Sequence, residues 1–371
     1  MKVVGENYAK RLMQIGVVKE IKNGEHRVGL IPAFISNLVL QGHSVYVETG
    51  AGNGAGFDDQ EYINAGAKIK HEPEEIWKSS ELIVKVKEPI GSEYDFIRPG
   101  QILFTYLHLA PNKVLTNALV NSKAICVAYE TVTDDHGNLP LLSPMSSIAG
   151  RMSVLIASNL LQQKFGGNGI LPCGIPGVPA AKILILGGGT VGFNATFVAH
   201  GIGGDVTVLD KKQQALDNIY NQFKGQVKTS YSTKGNIENF IYNADIVICA
   251  ALNVGAKAPQ LIAKDMVSNM KKGSVIVDVA IDQGGCCETS HPTTHDDPIY
   301  DVDGIIHYCV TNMPGAYAHT ASIALNNATF PYIEKLAKYG KKAFEIDSNL
   351  KNGLNVCTGE ITNQEVINAQ I

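Results

Sequence analysis

The chain has 371 residues, 45% apolar and 18% charged, with a net charge of −4 at neutral pH. That length suffices for two ordinary domains, and no basic block of the kind nucleic acid requires is present, so small molecules or further copies of the chain are the expected partners. No apolar run reaches the about 18 to 20 residues that span a bilayer, and the N-terminus lacks a signal-peptide core, which predicts a cytoplasmic protein without membrane contact.

In chain order, residues 1–12 read as a frayed or helical extension. Apolar runs follow at residues 15–18, 45–47, 82–86, 102–106 and 125–129, alternating with helical or loop segments. This alternation predicts a parallel sheet covered by helices. Residues 146–163 place Ile148, Met152, Leu155, Ile156 and Leu160 at helical spacing and read as a long linking helix. Strand rhythm resumes at residues 183–186, 206–209, 246–250, 275–279 and 305–310. A second long helix, 322–338, then leaves that sheet and is expected to pack back on the first one. The predicted fold is α/β: two Rossmann-like, doubly wound parallel-sheet domains joined by long helices. One domain is discontinuous, 1–140 plus 318–371, and the other spans 141–317.

The most specific signal lies at the head of the second domain. A buried strand runs into Gly187-x-Gly189-x-x-Gly192, a helical stretch follows, and a second apolar strand ends in Asp210, 23 residues after Gly187. Each glycine has a physical task. Gly187 permits a tight turn, Gly189 lets backbone approach a pyrophosphate, and Gly192 lets the helix pack closely on the strand. Thr190 and Val191 open the helix whose positive end would receive the phosphates. A carboxylate at Asp210 can bond both ribose hydroxyls and repel a 2′-phosphate, which favours NAD over NADP, although Lys211 and Lys212 weaken that preference.

In open α/β sheets ligands bind beyond the carboxyl ends of the strands. Arg27, Lys87 and His108 follow strands of the first domain, and Asp282 and Asn312 follow strands of the second, so these five are expected to converge on one cleft. Singly, each has an ordinary alternative: a surface charge paired with Glu20 or Glu25 for Arg27, a solvated strand edge for Lys85 or Lys87, a core histidine for His108, and caps for Asp282 and Asn312. Their shared position relative to the strands argues for function. The seven cysteines, Cys126, Cys173, Cys249, Cys286, Cys287, Cys309 and Cys357, show no zinc spacing and read as reduced thiols, with no metal site expected.

The segments 19–28, 85–89, 101–108, 129–131, 279–285 and 311–314 together resemble the L-alanine dehydrogenases, from about Met13 to the last helix. The resemblance implies NAD-dependent interconversion of L-alanine with pyruvate and ammonia, by a homohexamer whose first domain binds substrate. It further implies that Arg27 and Lys87 hold the substrate's carboxylate and carbonyl, that His108 is the acid/base group and that Asp282 is a second catalytic residue. Met145 and Asn312 would line the substrate. Ser146, Val279, Asp282, Asn312 and Met313 would join Gly187, Gly189, Thr190, Val191, Gly192 and Asp210 around the cofactor. The nearest rival is the NAD-binding α subunit of proton-translocating transhydrogenase, which shares the two-domain plan. An NAD-sensing module without chemistry and the saccharopine-type dehydrogenases stand further off.

Overall fold

The apolar runs become the inner strands of two sheets. The computed structural model describes residues 12–252 and 257–370, so the extension expected over residues 1–12 lies, apart from Leu12, outside the described residues. In chain order the strands are β1 (Gln14–Val17), β2 (Ser44–Glu48), β3 (Lys68–Lys70), β4 (Leu82–Val84), β5 (Ile102–Thr105), β6 (Ile125–Ala128), β7 (Lys182–Leu186), β8 (Asp205–Asp210), β9 (Lys228–Tyr231), β10 (Ile246–Cys249), β11 (Val275–Asp278), β12 (Ile299–Val302), β13 (Ile305–Tyr308), β14 (Leu354–Cys357) and β15 (Glu360–Ile361). Two compact units result. One runs to Pro144 and resumes at Gly315, and the other is Met145–Pro314.

Among the described residues the first unit's sheet has the order β15-β14-β6-β5-β4-β1-β2-β3, and the second unit's has β12-β13-β11-β10-β7-β8-β9. Within each, six parallel strands take the order 3-2-1-4-5-6 counted from that unit's own first strand, with β13 in sixth place in the second unit. Strand order therefore reverses between β1 and β4 in one sheet and between β7 and β10 in the other. At such a reversal the connections leave in opposite directions and a crevice opens beyond the carboxyl ends.

The inner strands β4, β5, β6, β10, β11 and β13 are buried along their whole length, as expected for parallel strands covered on both faces. The edges differ from the all-parallel expectation. β12 pairs antiparallel with β13, and β14 pairs antiparallel with β6 and with β15. Polar strands β3 and β9, the edge strand β12, and the pair β14 and β15 carry no continuous apolar run and went unpredicted. β4 also stops at Val84, short of the expected 86, so Lys87 stands on irregular backbone rather than at the strand end.

The first long helix is Ser143–Leu160, starting one turn earlier than expected. Within the second unit it approaches the helix Thr190–Gly201 so closely that a Cβ on Gly150 would lie 2.2 Å from the Val191 carbonyl oxygen. The second long helix, Ala318–Tyr339, packs within the first unit. Its Ser322 hydroxyl accepts the Val28 N–H at 3.1 Å. Its Asn326 accepts the Ile31 N–H at 2.8 Å and donates to the Val28 carbonyl at 3.3 Å. Among the described residues no helix is long and apolar enough to cross a membrane.

Candidate active site

In the second unit the crevice is made of backbone. Gly187 adopts φ +106°, and a Cβ there would lie 2.8 Å from the Ala250 carbonyl group. A Cβ on Gly192 would stand 1.7 Å from the Gly187 carbonyl oxygen, so the helix can follow the strand this closely only with glycine at that position. Beyond Gly189 nothing lies within 4 Å of where a Cβ would be. Gly189 precedes the helix Thr190–Gly201 without a side-chain cap, so the first-turn N–H groups are open to an anionic ligand. Thr190 is exposed and Val191 buried. Asp210 ends β8, and its carboxylate accepts the Gly188 N–H at 2.6 Å and the Lys212 N–H at 2.7 Å. This pins the acid beside the turn. A bare turn, an uncapped helix start and a fixed carboxylate fit a dinucleotide.

The loop after β11 is organised by a residue the sequence reading passed over. Buried Asp278 accepts the N–H groups of Ala280 at 3.1 Å, Cys286 at 2.8 Å and Cys287 at 3.2 Å, together with the Ser290 hydroxyl at 2.7 Å. Burial pushes its carboxyl above the ordinary value, against the pull of those donors. The loop it ties down carries half-buried Val279 and places Asp282 on a single 3-10 turn, Ile281–Gln283, exposed at the surface of the unit. Cys286 and Cys287 face inward: the Cys286 thiol donates to the Ala251 carbonyl at 3.2 Å, and Cys287 lies 3.1 Å from the Thr289 hydroxyl. Burial pushes Cys286 up to about 12, which suits packed thiols rather than nucleophiles. Among the described residues no cluster of histidine, cysteine or acidic side chains could hold a metal ion. Asn312 adopts φ +57°, with buried Met313 beside it. Met145 and Ser146 lie in the first turn of Ser143–Leu160.

In the first unit the crevice is made of charge. Arg27, on the loop after β1, is 2% exposed and clasped by Glu25, whose carboxylate oxygens accept Nε at 2.6 Å and Nη2 at 2.5 Å. Burial alone would raise the Glu25 carboxyl, but the hydrogen bonds and charge of Arg27 outweigh it and hold the group at about 2. The ordinary alternative for Arg27 thus half holds: the paired acid is there, but the pair is buried. Lys85 is no solvated edge either, being fully buried between Glu93 at 2.6 Å and Glu20 at 3.4 Å. Glu20 also accepts the Val86 N–H at 2.7 Å, and burial pushes it up to about 7 against the opposing charge of Lys85. One buried cation between two carboxylates leaves a surplus charge that a proton on Glu20 removes. Lys87 stands next along the same backbone. Burial and the neighbouring Arg27 pull its ammonium below the ordinary value, Glu25 and Glu88 opposing them only in part.

His108 lies on the loop after β5, three residues beyond its end, with φ +48° and a half-exposed side chain. Its ring stacks parallel to that of Tyr106, 3° between planes and 5.9 Å between centroids. Arg27 and Glu130 both act electrostatically on Tyr106. The first unit therefore brings Arg27, Lys87 and His108 to the carboxyl ends of neighbouring strands β1, β4 and β5. The second unit does the same for the glycine turn and Asp282, at the ends of β7 and β11.

Family models match nearly the whole chain: the alanine dehydrogenase/PNT N-terminal domain over residues 16–149 and the corresponding C-terminal domain over residues 153–364. An alanine dehydrogenase of Halomonas elongata is 50% identical over 358 residues, which is 96% of each chain. A solved L-alanine dehydrogenase superposes with a TM-score of 0.94 at 48% identity, covering 96% of this chain and 99% of its own. A transhydrogenase from Sinorhizobium meliloti gives 0.82 at 25% identity, covering 94% of this chain and all of its own.

Proposed function

The chain belongs to the alanine dehydrogenase/PNT family, and from that premise we propose that it interconverts L-alanine with pyruvate and ammonia, with NAD as the redox partner. The likeness to L-alanine dehydrogenase is stronger than that to transhydrogenase in both identity and superposition. The observation that carries the proposal is the pairing of two cations, Arg27 and Lys87, in one crevice of the first unit. Two adjacent cations invite an anion, and a small α-keto acid supplies a carboxylate for one and a carbonyl for the other.

With its guanidinium held by Glu25 through Nε and Nη2, Arg27 would bring a positioned cation to the substrate carboxylate. The clasp fixes the fork before substrate arrives, so little side-chain entropy is lost on binding. Lys87 donates to the carbonyl oxygen as negative charge gathers there, and an ammonium held below its ordinary value gives up its proton more readily. His108 moves protons as ammonia adds, a carbinolamine forms and water leaves. Asp282 takes the second acid/base role, at the amine. Met145 and Asn312 bound the substrate.

Gly187, Gly189, Thr190, Val191 and Gly192 would hold the pyrophosphate, Asp210 the adenosine ribose, and Ser146, Val279, Asp282, Asn312 and Met313 the remainder of the cofactor. The chemistry supplied by a bound nicotinamide is hydride exchange at the substrate's Cα. Asp210 supports NAD over NADP, since a carboxylate pinned by two N–H groups stands where a 2′-phosphate would bring like charge. A cytoplasmic homohexamer completes the reading. Exposed Leu171, Ile175 and Val178, clustered in the loop before β7, support self-association.

The test is NADH oxidation with pyruvate and ammonium against a panel of α-keto acids. Turnover requiring both co-substrates is expected. Intact NADH binding without turnover on any small keto acid would overturn the activity.

A further inference from the structure

His108 sits at φ +48°, a left-handed backbone conformation that a residue with a Cβ rarely adopts, so something must hold it there. The flanking Leu107 and Leu109 are buried at 0% and 2%, anchoring the segment on either side. What faces it across the sheet is Glu130, on the 3-10 turn Tyr129–Thr131 that directly follows β6. β5 and β6 are parallel neighbours, so their carboxyl-end loops lie side by side. The Glu130 carboxylate accepts the His108 N–H at 2.6 Å and the Leu107 N–H at 3.2 Å through either oxygen, while its Oε1 lies 3.8 Å from the imidazole Nδ1.

Glu130 is itself on firm ground. Tyr129 donates its hydroxyl to the Lys85 carbonyl at 2.9 Å and packs edge-on against Phe104 and Tyr106. Tyr106 in turn stacks parallel to the imidazole, its hydroxyl donating to the Leu141 carbonyl at 2.6 Å. One carboxylate thus bonds the backbone of the histidine and faces one of its ring nitrogens.

Building on the reading of His108 as the acid/base group, we propose that Glu130 is its positioning residue. The carboxylate stabilises the left-handed backbone through the two N–H bonds and favours the tautomer with the proton on Nδ1. Nε2 is then left to exchange protons with the substrate. No bond is made or broken by Glu130 itself. Around the imidazole the charged and titratable groups are Glu130 from the turn after β6 and Tyr106 from its own segment, with Arg27 and Glu25 acting on Tyr106 from the loop after β1. Of these, Glu130 is the carboxylate that approaches the ring.

The experiment compares E130Q, E130A, H108A and the double variant E130Q/H108A in the full-length protein. Glutamine keeps one carbonyl acceptor for the backbone and removes the charge. E130Q is therefore expected to fold and to bind NADH normally. E130A is expected to lower kcat by about tenfold or more. In the H108A background E130Q should cost nothing further, because both act through one group. A readout independent of turnover is the nitrogen NMR signature of labelled histidine, in which E130Q should shift His108 away from the Nδ1-protonated tautomer.

An E130Q tautomer signature that superimposes on that of the parent would overturn the proposal. If instead H108A turns over normally while E130Q still changes the tautomer, Glu130 positions the ring as proposed and the acid/base reading of His108 is what fails.

Discussion

Both units set their own first and fourth strands side by side, and the crevices opening there are built from opposite materials. Between β7 and β10 the lining is bare backbone, and its demand is the absence of side chains at Gly187 and Gly192. Between β1 and β4 it is Glu20, Glu25, Arg27, Lys85 and Lys87, and its demand is that every buried charge be answered. A dinucleotide brings its own phosphates, which helix-end N–H groups can meet without any buried ion. A keto acid brings one small charge, which needs a full cation, and a buried cation needs a fixed acid beside it. The same strand order thus yields one crevice governed by steric fit and another governed by protons.

The sharpest way to break this contrast is a methyl group. Gly192→Ala places a Cβ 1.7 Å from the Gly187 carbonyl oxygen, so it should destabilise the fold by about 4 kcal/mol or more and abolish NADH binding. Gly189→Ala meets open space in an ordinary backbone conformation, so the melting temperature should hold while NADH affinity falls. Thermal melts paired with NADH fluorescence titration check both. Equal effects of the two substitutions would mean the cradle is not set by steric fit.

Acid and base should act on the other crevice. Glu25 is held at about 2 against an ordinary value of 4.5. Its contribution, about 3 kcal/mol, is present above pH 4.5 and lost as pH falls toward 2. Glu20, raised to about 7, has the opposite sign: its contribution is complete below pH 4.5 and is lost as pH rises through 7. Glu20→Gln should therefore flatten the decline in denaturant-measured stability between about pH 5 and 8, and Glu25→Gln the decline at acid pH. Unchanged curves would show that these carboxylates are not coupled to folding.

The Gly187 fingerprint was legible because turn, helix start and close packing fall within six residues. The inner strands were legible because burial on both faces leaves a continuous apolar run. Polar β3 and β9 carry no such run, and β14 is recognisable only once β6 offers an edge to pair with. In the charged crevice, Arg27, Lys87 and His108 could be picked out by their place after strands. Their supports could not, because Glu20 reaches Lys85 and Glu130 reaches His108 only when β1, β4, β5 and β6 have been ordered. Asp278 escaped for a related reason, since its ligands are backbone N–H groups with no sequence signature.

Two smaller effects refine the comparison. Arg27→Lys keeps a cation but cannot hold both Glu25 oxygens and a substrate, so the KM for pyruvate should rise about tenfold while the Kd for NADH stays put. If KM is unmoved, the clasp is structural and the anion binds elsewhere. Asp210→Ala removes the pinned carboxylate and should narrow the preference for NADH over NADPH several-fold, up to about tenfold. A parent protein that uses both cofactors equally would dispose of that role. Steady-state kinetics with each cofactor decide both points.

The antiparallel strand β14 has a consequence for how the molecule is made. It covers the outer edge of β6, and the helix Ala318–Tyr339 supplies the partners of Val28 and Ile31. During synthesis, the whole of the second unit emerges between these two halves of the first. The unit in the middle of the chain can therefore finish folding on the ribosome, while the N-terminal sheet waits with an open edge until β14 has emerged. Emergence of the helix Ala318–Tyr339, rather than of the N-terminal segment itself, sets the moment at which the backbone beside Arg27 acquires its support.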